Sequence, residues 1–287
     1  MNVLSLFDGM SCGQIALNKL GIKYDNYFAS EIDKYAIQVT KHNYPETIFE
    51  GDVTRVKGDK LPKIDLLFGG SPCQGFSFAG KKLNFEDPRS KLFFEFVRLI
   101  KECEPKYFLL ENVKMKKEHE KVITEHLGVE PILINSSLLT AHNRPRLYWT
   151  NIPNVKQPKD LGITIKDIVD LQKKNYEYIP EEKTINREYK KNYLQYDING
   201  KGHGSQDQRA YYLDNKHGCL DTGASGKAKI LEQDGRVRKT TRNEAERLQG
   251  VPDNYTEIVS RAQALKMLGN GWTVDVIAHI FKNIPLT

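Results

Sequence analysis

One cysteine in this sequence is held in a turn suited to covalent chemistry. Cys73 stands in Gly69-Gly70-Ser71-Pro72-Cys73-Gln74-Gly75. Two glycines permit a tight turn, while Pro72 fixes its own φ and restricts Ser71. The thiol is thereby presented rigidly, and a loop thiol becomes reactive where amides or cations favour the thiolate. Burial as a small hydrophobe is the usual fate of a free cysteine, but Gly and Pro on both sides weigh against a regular element here. The remaining cysteines, Cys12, Cys103 and Cys219, have neither redox-pair nor zinc spacing. No metal is expected, and so few cysteines suit a reducing cytoplasm.

A carboxylate and two arginines could serve such a nucleophile. Glu111, in Glu111-Asn112-Val113, follows the apolar run Tyr107-Phe108-Leu109-Leu110. A carboxyl at the edge of a buried strand is partly desolvated, which suits a proton donor, although an acid there is often only a helix cap. Arg144 and Arg146 flank Pro145 ahead of Leu147-Tyr148-Trp149. Alternate positions of an extended segment share a face, so one arginine could hold a base oxygen and the other a phosphate. A solvated basic pair is the competing interpretation.

A second group of residues reads as a nucleoside site. Phe7-Asp8-Gly9-Met10-Ser11-Cys12-Gly13 is a strand-to-helix turn with two glycines, which lets a ligand approach the backbone and a helix N-terminus. It lacks the G-x-G-x-x-G fingerprint of dinucleotide sites. Glu31, followed by Ile32, ends the next strand, where an acid reaches a ribose hydroxyl pair. Asp52, followed by Val53, ends the third and could accept from an adenine amino group. Turn, acid, acid fits a nucleoside without demanding phosphate, and S-adenosylmethionine is such a ligand.

The elements that must position these groups alternate. Val3–Phe7, Tyr27–Ser30, Ile48–Glu50, Ile64–Phe68 and Tyr107–Leu110 are short apolar runs separated by helical patterns. That order predicts an α/β fold with a mainly parallel, doubly wound sheet and ligands beyond the carboxyl ends of the strands. Residues 151–236 differ in texture, with seven of the fourteen tyrosines, a Gly-rich stretch, and 15 basic against 13 acidic residues. They are expected to form a smaller, mainly β unit inserted into the catalytic one, which spans 1–150 and 237–287. A net charge of +6 over 287 residues is compatible with a polyanionic partner without requiring one. The N-terminus lacks the pattern of a signal peptide, and no apolar run is long enough to span a bilayer, so a cytoplasmic protein without a membrane partner is expected.

With these motifs in order, the chain resembles the DNA cytosine-C5 methyltransferase family over essentially its full length. Gly70-Ser71-Pro72-Cys73-Gln74-Gly75, Glu111-Asn112-Val113 and Arg144-Pro145-Arg146 match the family's Pro-Cys, Glu-Asn-Val and Arg-x-Arg motifs. Arg238 to Pro252 is similar to the segment that braces the recognition domain, and Leu268-Gly269-Asn270-Gly271-Trp272-Thr273-Val274 to the C-terminal Gly-Asn motif. Details such as Ser5-Leu6-Phe7-Asp8-Gly9 resemble the animal de novo branch, in a chain of bacterial or phage size. His142 stands where relatives usually carry Gln, and Gly271 where they often carry Ser.

The resemblance implies a Rossmann-like catalytic domain with an inserted target-recognition domain. It implies that Cys73 adds to C6 of a cytosine flipped out of double-stranded DNA. Glu111 would engage N3 and the exocyclic amine, Arg146 the O2 atom, and Arg144 the nearby backbone. S-adenosylmethionine would donate the methyl group and leave as S-adenosylhomocysteine. Its pocket would draw on Phe7, Asp8, Gly9, Cys12, Gly13, Glu31, Ile32, Asp52, Val53, Gly70, Pro72, Asn270, Gly271 and Trp272. A monomer suffices for such chemistry, and a restriction-modification setting would add a cognate endonuclease. An RNA methyltransferase on the same scaffold is the nearest rival, and a catalytically silent DNA-binding protein is a second. An amino-directed methyltransferase would carry an aromatic after Pro-Pro where Cys73 stands.

Overall fold

The computed structural model describes residues 1–71, 88–170, 175–197, 208–220 and 229–285, with the backbone alone at 88–90. Pro72 and Cys73 lie outside the described residues. The chain divides into two compact units, one of residues 1–134, 145–157 and 277–287, the other of residues 135–144 and 158–276. The segment 237–276 is thus grouped with the second unit, and 277–287 with the first.

The first unit is built on seven strands: β1 (Asn2–Leu6), β2 (Asn26–Ser30), β3 (Ile48–Phe49), β4 (Leu66–Gly70), β5 (Tyr107–Val113), β6 (Ile132–Asn135) and β7 (Pro145–Thr150). Their spatial order is β3-β2-β1-β4-β5-β7-β6. The neighbours from β3 to β5 run parallel, and β7 is antiparallel to β5. Strands β1 and β4 read as continuous apolar runs because both are central in the sheet, and Val3, Leu4, Leu6, Leu66, Leu67 and Phe68 are fully buried. Between the strands run α1 (Cys12–Lys19), α2 (Lys34–Asn43), α3 (Pro88–Cys103) and α4 (Lys117–Leu127).

Two local features shape the sheet's ligand edge. Gly13, in the first turn of α1, leaves room for Phe68, whose ring a Cβ there would meet at 2.4 Å. Gly69 likewise lets β4 lie close to β1, where a Cβ would meet the Leu6 carbonyl oxygen at 2.7 Å. Helix α4 was not foreseen, because its sequence KEHEKVITEHL offers only Val122, Ile123 and Leu127 as apolar anchors.

The second unit carries a five-stranded sheet in the order β12-β11-β10-β9-β8. Its strands are β8 (Ile185–Tyr189), β9 (Tyr193–Asp197), β10 (Arg209–Tyr212), β11 (Lys229–Leu231) and β12 (Val237–Lys239). All pairings are antiparallel except β10 with β11. One face packs Leu194, Tyr196, Ala210, Leu231 and Val237 into a small core. Helices α5 (Arg242–Leu248) and α6 (Arg261–Asn270) follow, and α7 (Val274–Phe281) runs on into the first unit. There its Phe281 meets Phe68, with ring centroids 5.3 Å apart.

Candidate active site

Six segments of the first unit meet at the same edge of the sheet, and each delivers part of a site. The β1–α1 turn holds three residues at positive φ, Phe7 (56°), Gly9 (60°) and Ser11 (64°). Two of the three are not glycine, so the turn stores strain that its surroundings must hold. Asp8 does much of that holding. Its carboxylate accepts from Ser5 Oγ at 2.5 Å, Ser11 Oγ at 2.5 Å and Tyr27 Oη at 2.7 Å. Burial nevertheless raises the Asp8 pKa to about 6, with the Glu31 charge adding to the shift and the three hydroxyls opposing it. Burial, then the charge of Asp8, pushes the Tyr27 phenol well above its ordinary value. Met10 and Cys12 are buried beneath the turn, and a Cβ on Gly9 would point into open space.

Among the described residues, Glu31 is fixed by backbone donors. It accepts from Gly9 N–H at 2.7 Å, Ile32 N–H at 2.7 Å and Asp33 N–H at 2.8 Å. These bonds tie the end of β2 to the strained turn while leaving acceptor capacity on Oε2. Beside it, Ile32 is 75% exposed, the most exposed of the large hydrophobics in the described chain. Asp52 caps the next turn by accepting from Thr54 N–H and Thr54 Oγ, each at 2.9 Å, and the backbone bond leads in lowering its pKa. Val53, the following residue, is buried.

The remaining groups of this unit lie at the ends of β4, β5 and β7. Gly70 pairs with Glu111 across β4–β5, and Val113 pairs with Arg146 across β5–β7. Arg146 Nε meets Glu111 Oε1 at 3.0 Å, with only 14% and 11% of the two side chains exposed. Arg146 also donates to the Pro145 carbonyl at 2.8 Å. Asn112, fully enclosed, donates through Nδ2 to Ser71 Oγ at 3.2 Å and to the Ser71 carbonyl at 3.4 Å. Its Oδ1 accepts from Val113 N–H at 2.8 Å. The buried amide therefore ties β5 to the residue two before Cys73.

Arg144 has a different setting from Arg146, and the two share no partner among the described residues. It is buried in the second unit, donating to the Gly271 carbonyl at 2.9 Å and to Cys219 Sγ at 3.5 Å. The Gly271 carbonyl also accepts from Gln249 Nε2 at 3.2 Å, and Gln249 Oε1 accepts from Thr273 Oγ at 2.8 Å. This buried network holds the turn Asn270-Gly271-Trp272, in which Asn270 is exposed and Trp272 half-buried. Gly271 has φ −65° and ψ 168°, a conformation open to any residue, so glycine there answers no backbone demand. His142 is buried and accepts from Leu220 N–H at 2.9 Å.

Further inside this unit lies a charged pair. Arg238 and Glu244 are fully buried and joined by two bonds of 2.8 Å each. Burial works against both charges, but their mutual bonds outweigh it, raising the Arg238 pKa and lowering that of Glu244. Ser5, Ser11, Tyr27, Asn112 and Gln249 were not foreseen as site-building residues. Only Asn112, inside its motif, gave any signal in the sequence.

Comparison with known proteins decides the family. The description C-5 cytosine-specific DNA methylase matches residues 1–285. The chain belongs to that family. It is a DNA (cytosine-5-)-methyltransferase by class, and the family is S-adenosylmethionine-dependent. It is 34% identical to the type II methyltransferase M1.ScrFI of Lactococcus lactis subsp. cremoris, over 97% of this chain and 76% of that protein. It is 30% identical to M.HhaI of Haemophilus parahaemolyticus, over 99% of this chain and 94% of the relative. Among solved structures, Entamoeba histolytica methyltransferase EhMeth superposes with a TM-score of 0.74 at 18% identity, covering 99% of this chain and 97% of that one. A methyltransferase encoded in an E. coli prophage gives 0.72 at 21%, over 99% and 98%. These likenesses confirm the Rossmann-like fold with a second sheet domain. Among the described residues no helix is long and apolar enough to cross a membrane, and no cluster of metal-type ligands occurs.

Proposed function

We propose that this methyltransferase acts on a cytosine flipped out of double-stranded DNA, with Cys73 as covalent nucleophile and S-adenosylmethionine as donor. The observation that carries this reading is the Glu111–Arg146 pair beside Gly70, with Asn112 tethering Ser71.

The residues at the edge of β1, β2 and β3 fit the donor. Glu31 retains acceptor capacity for a ribose diol, Gly9 opens onto free space, and exposed Ile32 offers an apolar surface for adenine. Phe7, Asp52 and Val53 complete that side, while Asn270, Gly271 and Trp272 are proposed for the methionine end. Bound there, the cofactor supplies a sulfonium methyl group. Asp8 holds the turn from below, and Arg144 braces the Gly271 carbonyl.

In the proposed reaction the Cys73 thiolate adds to C6 while Glu111 delivers a proton to N3. The electron pair released at C5 takes the methyl group. A base then removes the C5 proton, the C6–S bond breaks, N3 gives up its proton, and the thiolate is restored. Arg146 binds O2, and its ion pair with Glu111 holds the carboxylate in place before the base enters; Glu111 then takes up the proton that it delivers to N3, so the pair parts as Arg146 turns to O2. Residues 151–236, of which 158–236 belong to the second unit, are proposed to read the DNA sequence. A monomer would carry the whole site, and the type II names of several relatives support a cognate restriction endonuclease as companion.

The test incubates the protein with labelled S-adenosylmethionine and either unmodified DNA or RNA, then maps modified cytosines by bisulfite sequencing. Label in DNA is expected, lost in Cys73→Ser although the variant still binds cofactor. Label in RNA alone, or full activity of Cys73→Ser, refutes the reading.

A further inference from the structure

We infer that Gln249 is a positioning residue for the cofactor, because its side chain clamps the turn Asn270-Gly271-Trp272. The inference rests on the proposed role of that turn at the methionine end of S-adenosylmethionine. Gln249 caps the C-terminus of α5 and is fully buried. Its Nε2 donates to the Leu268 carbonyl at 2.5 Å and to the Gly271 carbonyl at 3.2 Å. Its Oε1 accepts from Thr273 Oγ1 at 2.8 Å, and its backbone carbonyl accepts from Val274 N–H at 2.8 Å. These bonds fall at 268, 271, 273 and 274, so one residue brackets Asn270 and Trp272 on both sides.

The turn needs such a partner because it follows a helix end. The last four carbonyls of a helix have no donor within it. In α6 the Met267 carbonyl accepts from Gly271 N–H at 2.7 Å, and Gln249 supplies a donor to Leu268. Leu268 is itself fully buried, where a carbonyl left without a donor is costly. Asn270 is exposed and Trp272 half-buried, so neither side chain is locked by full burial. Where they point is set by the backbone on either side of them.

An amide is the group this place requires. It meets two carbonyls with its nitrogen and a hydroxyl with its oxygen, which neither a carboxylate nor an apolar side chain can do. The amide is oriented in turn by buried neighbours. Thr273 Oγ1, which donates to Oε1, accepts from Ser136 Oγ at 2.8 Å. A site held by a supporting group of this kind loses affinity when the support is removed, although no contact to the ligand changes.

The experiment measures S-adenosylhomocysteine affinity by calorimetry, and affinity for a mixed-sequence duplex without cofactor, in wild type, Gln249→Met, Thr273→Val, Thr273→Ser and Trp272→Ala. Thermal melts check folding, and all proteins are assayed well below their midpoints. Gln249→Met keeps the length and removes the side-chain bonds, so it should weaken the cofactor about tenfold or more with duplex affinity unchanged. Thr273→Val removes only the hydroxyl that orients the amide and should weaken the cofactor less. Thr273→Ser keeps that hydroxyl and should bind the cofactor more tightly than Thr273→Val. The threonine pair decides the matter if Gln249→Met does not fold. Wild-type cofactor affinity in folded Gln249→Met, or equal affinity in the threonine pair, overturns the inference. So does a parallel loss of cofactor and duplex affinity, the mark of a residue that only stabilises its unit. Wild-type cofactor affinity in Trp272→Ala would instead overturn the placing of the turn at the cofactor, the reading on which the inference rests.

Discussion

Replacing Asp8 by Asn should change the pH dependence of stability in a direction that follows from the strained β1–α1 turn. In the folded chain burial raises the Asp8 carboxyl from its ordinary 3.8 to about 6. A raised carboxyl pKa means that the native state binds the proton more tightly than the unfolded state. The group's contribution is therefore fully present below pH 4 and is lost as pH rises through about 6. A shift of two units corresponds to about 3 kcal/mol in all, of which about 1.4 kcal/mol is lost between pH 5 and 7.5. Asn has no such titration. It also has one acceptor where the carboxylate offers two oxygens to Ser5, Ser11 and Tyr27, and that penalty does not vary with pH. Urea unfolding of both proteins at pH 5 and 7.5 isolates the term, because all other titrating groups are common to the pair. Stability of Asp8→Asn relative to wild type should rise by about 1–1.5 kcal/mol between the two pH values. A difference that stays constant, or falls, would show that Asp8 is ionised in the native turn throughout, and the reasoning from burial would be wrong.

Other perturbations test other parts of the molecule. His217 is fully buried and its pKa falls to about 4, first through burial, with its ring between the Gly218 carbonyl and Thr240. A depressed histidine stabilises above its unfolded value of 6.5 and loses about 3 kcal/mol as pH falls toward 4, so His217→Gln should blunt acid unfolding; equal acid midpoints in the two proteins would contradict this. Removing Arg238 leaves Glu244 charged in the interior, and Arg238→Met should cost about 3–5 kcal/mol while Arg238→Met with Glu244→Leu recovers most of it. A chemical-unfolding cycle in which the double variant is no better than the single one would refute that account. Asn112→Ala should lower kcat about tenfold or more, as expected when reacting groups are misplaced, with cofactor affinity unchanged; an effect on cofactor binding alone would remove Asn112 from the positioning of the Pro-Cys turn. Glu111→Gln retains shape but not the ion pair with Arg146, so turnover should fall at least a hundredfold with a measurable base-flipped complex still formed on DNA.

Much of the first unit was legible because its strands are short apolar runs that end in Gly or an acid. Leu66–Gly70 and Tyr107–Val113 show this, since both are buried for most of their length. The reversal at β7 was not legible. Whether a strand runs parallel or antiparallel depends on its connection, and here that reversal sets Arg146 diagonally across from Glu111. Sequence spacing suggested that Arg144 and Arg146 share a face, but Arg144 precedes β7 and has other partners than Arg146. Asp8 illustrates a different limit. Its three donors come from Ser5 and Ser11, near in sequence, and Tyr27, on the next strand. Nothing in composition announces such a cluster, because the tyrosine arrives only through the register of β1 with β2.

That contrast also separates what the two halves of the chemistry require. The nucleophile, acid and arginine can be recognised from residue type because each must touch a reacting atom, and few side chains can do each task. The groups that hold them are chosen for reach and hydrogen-bonding capacity, which many residues share. Asn112 could hold Ser71 only because Gly70 and Glu111 are paired neighbours, and Gln195 could accept from Arg209 Nε only because the two are directly opposed. In both units, then, the strand register converts ordinary amides into positioning groups, and a change in register would abolish their function without altering a single functional residue.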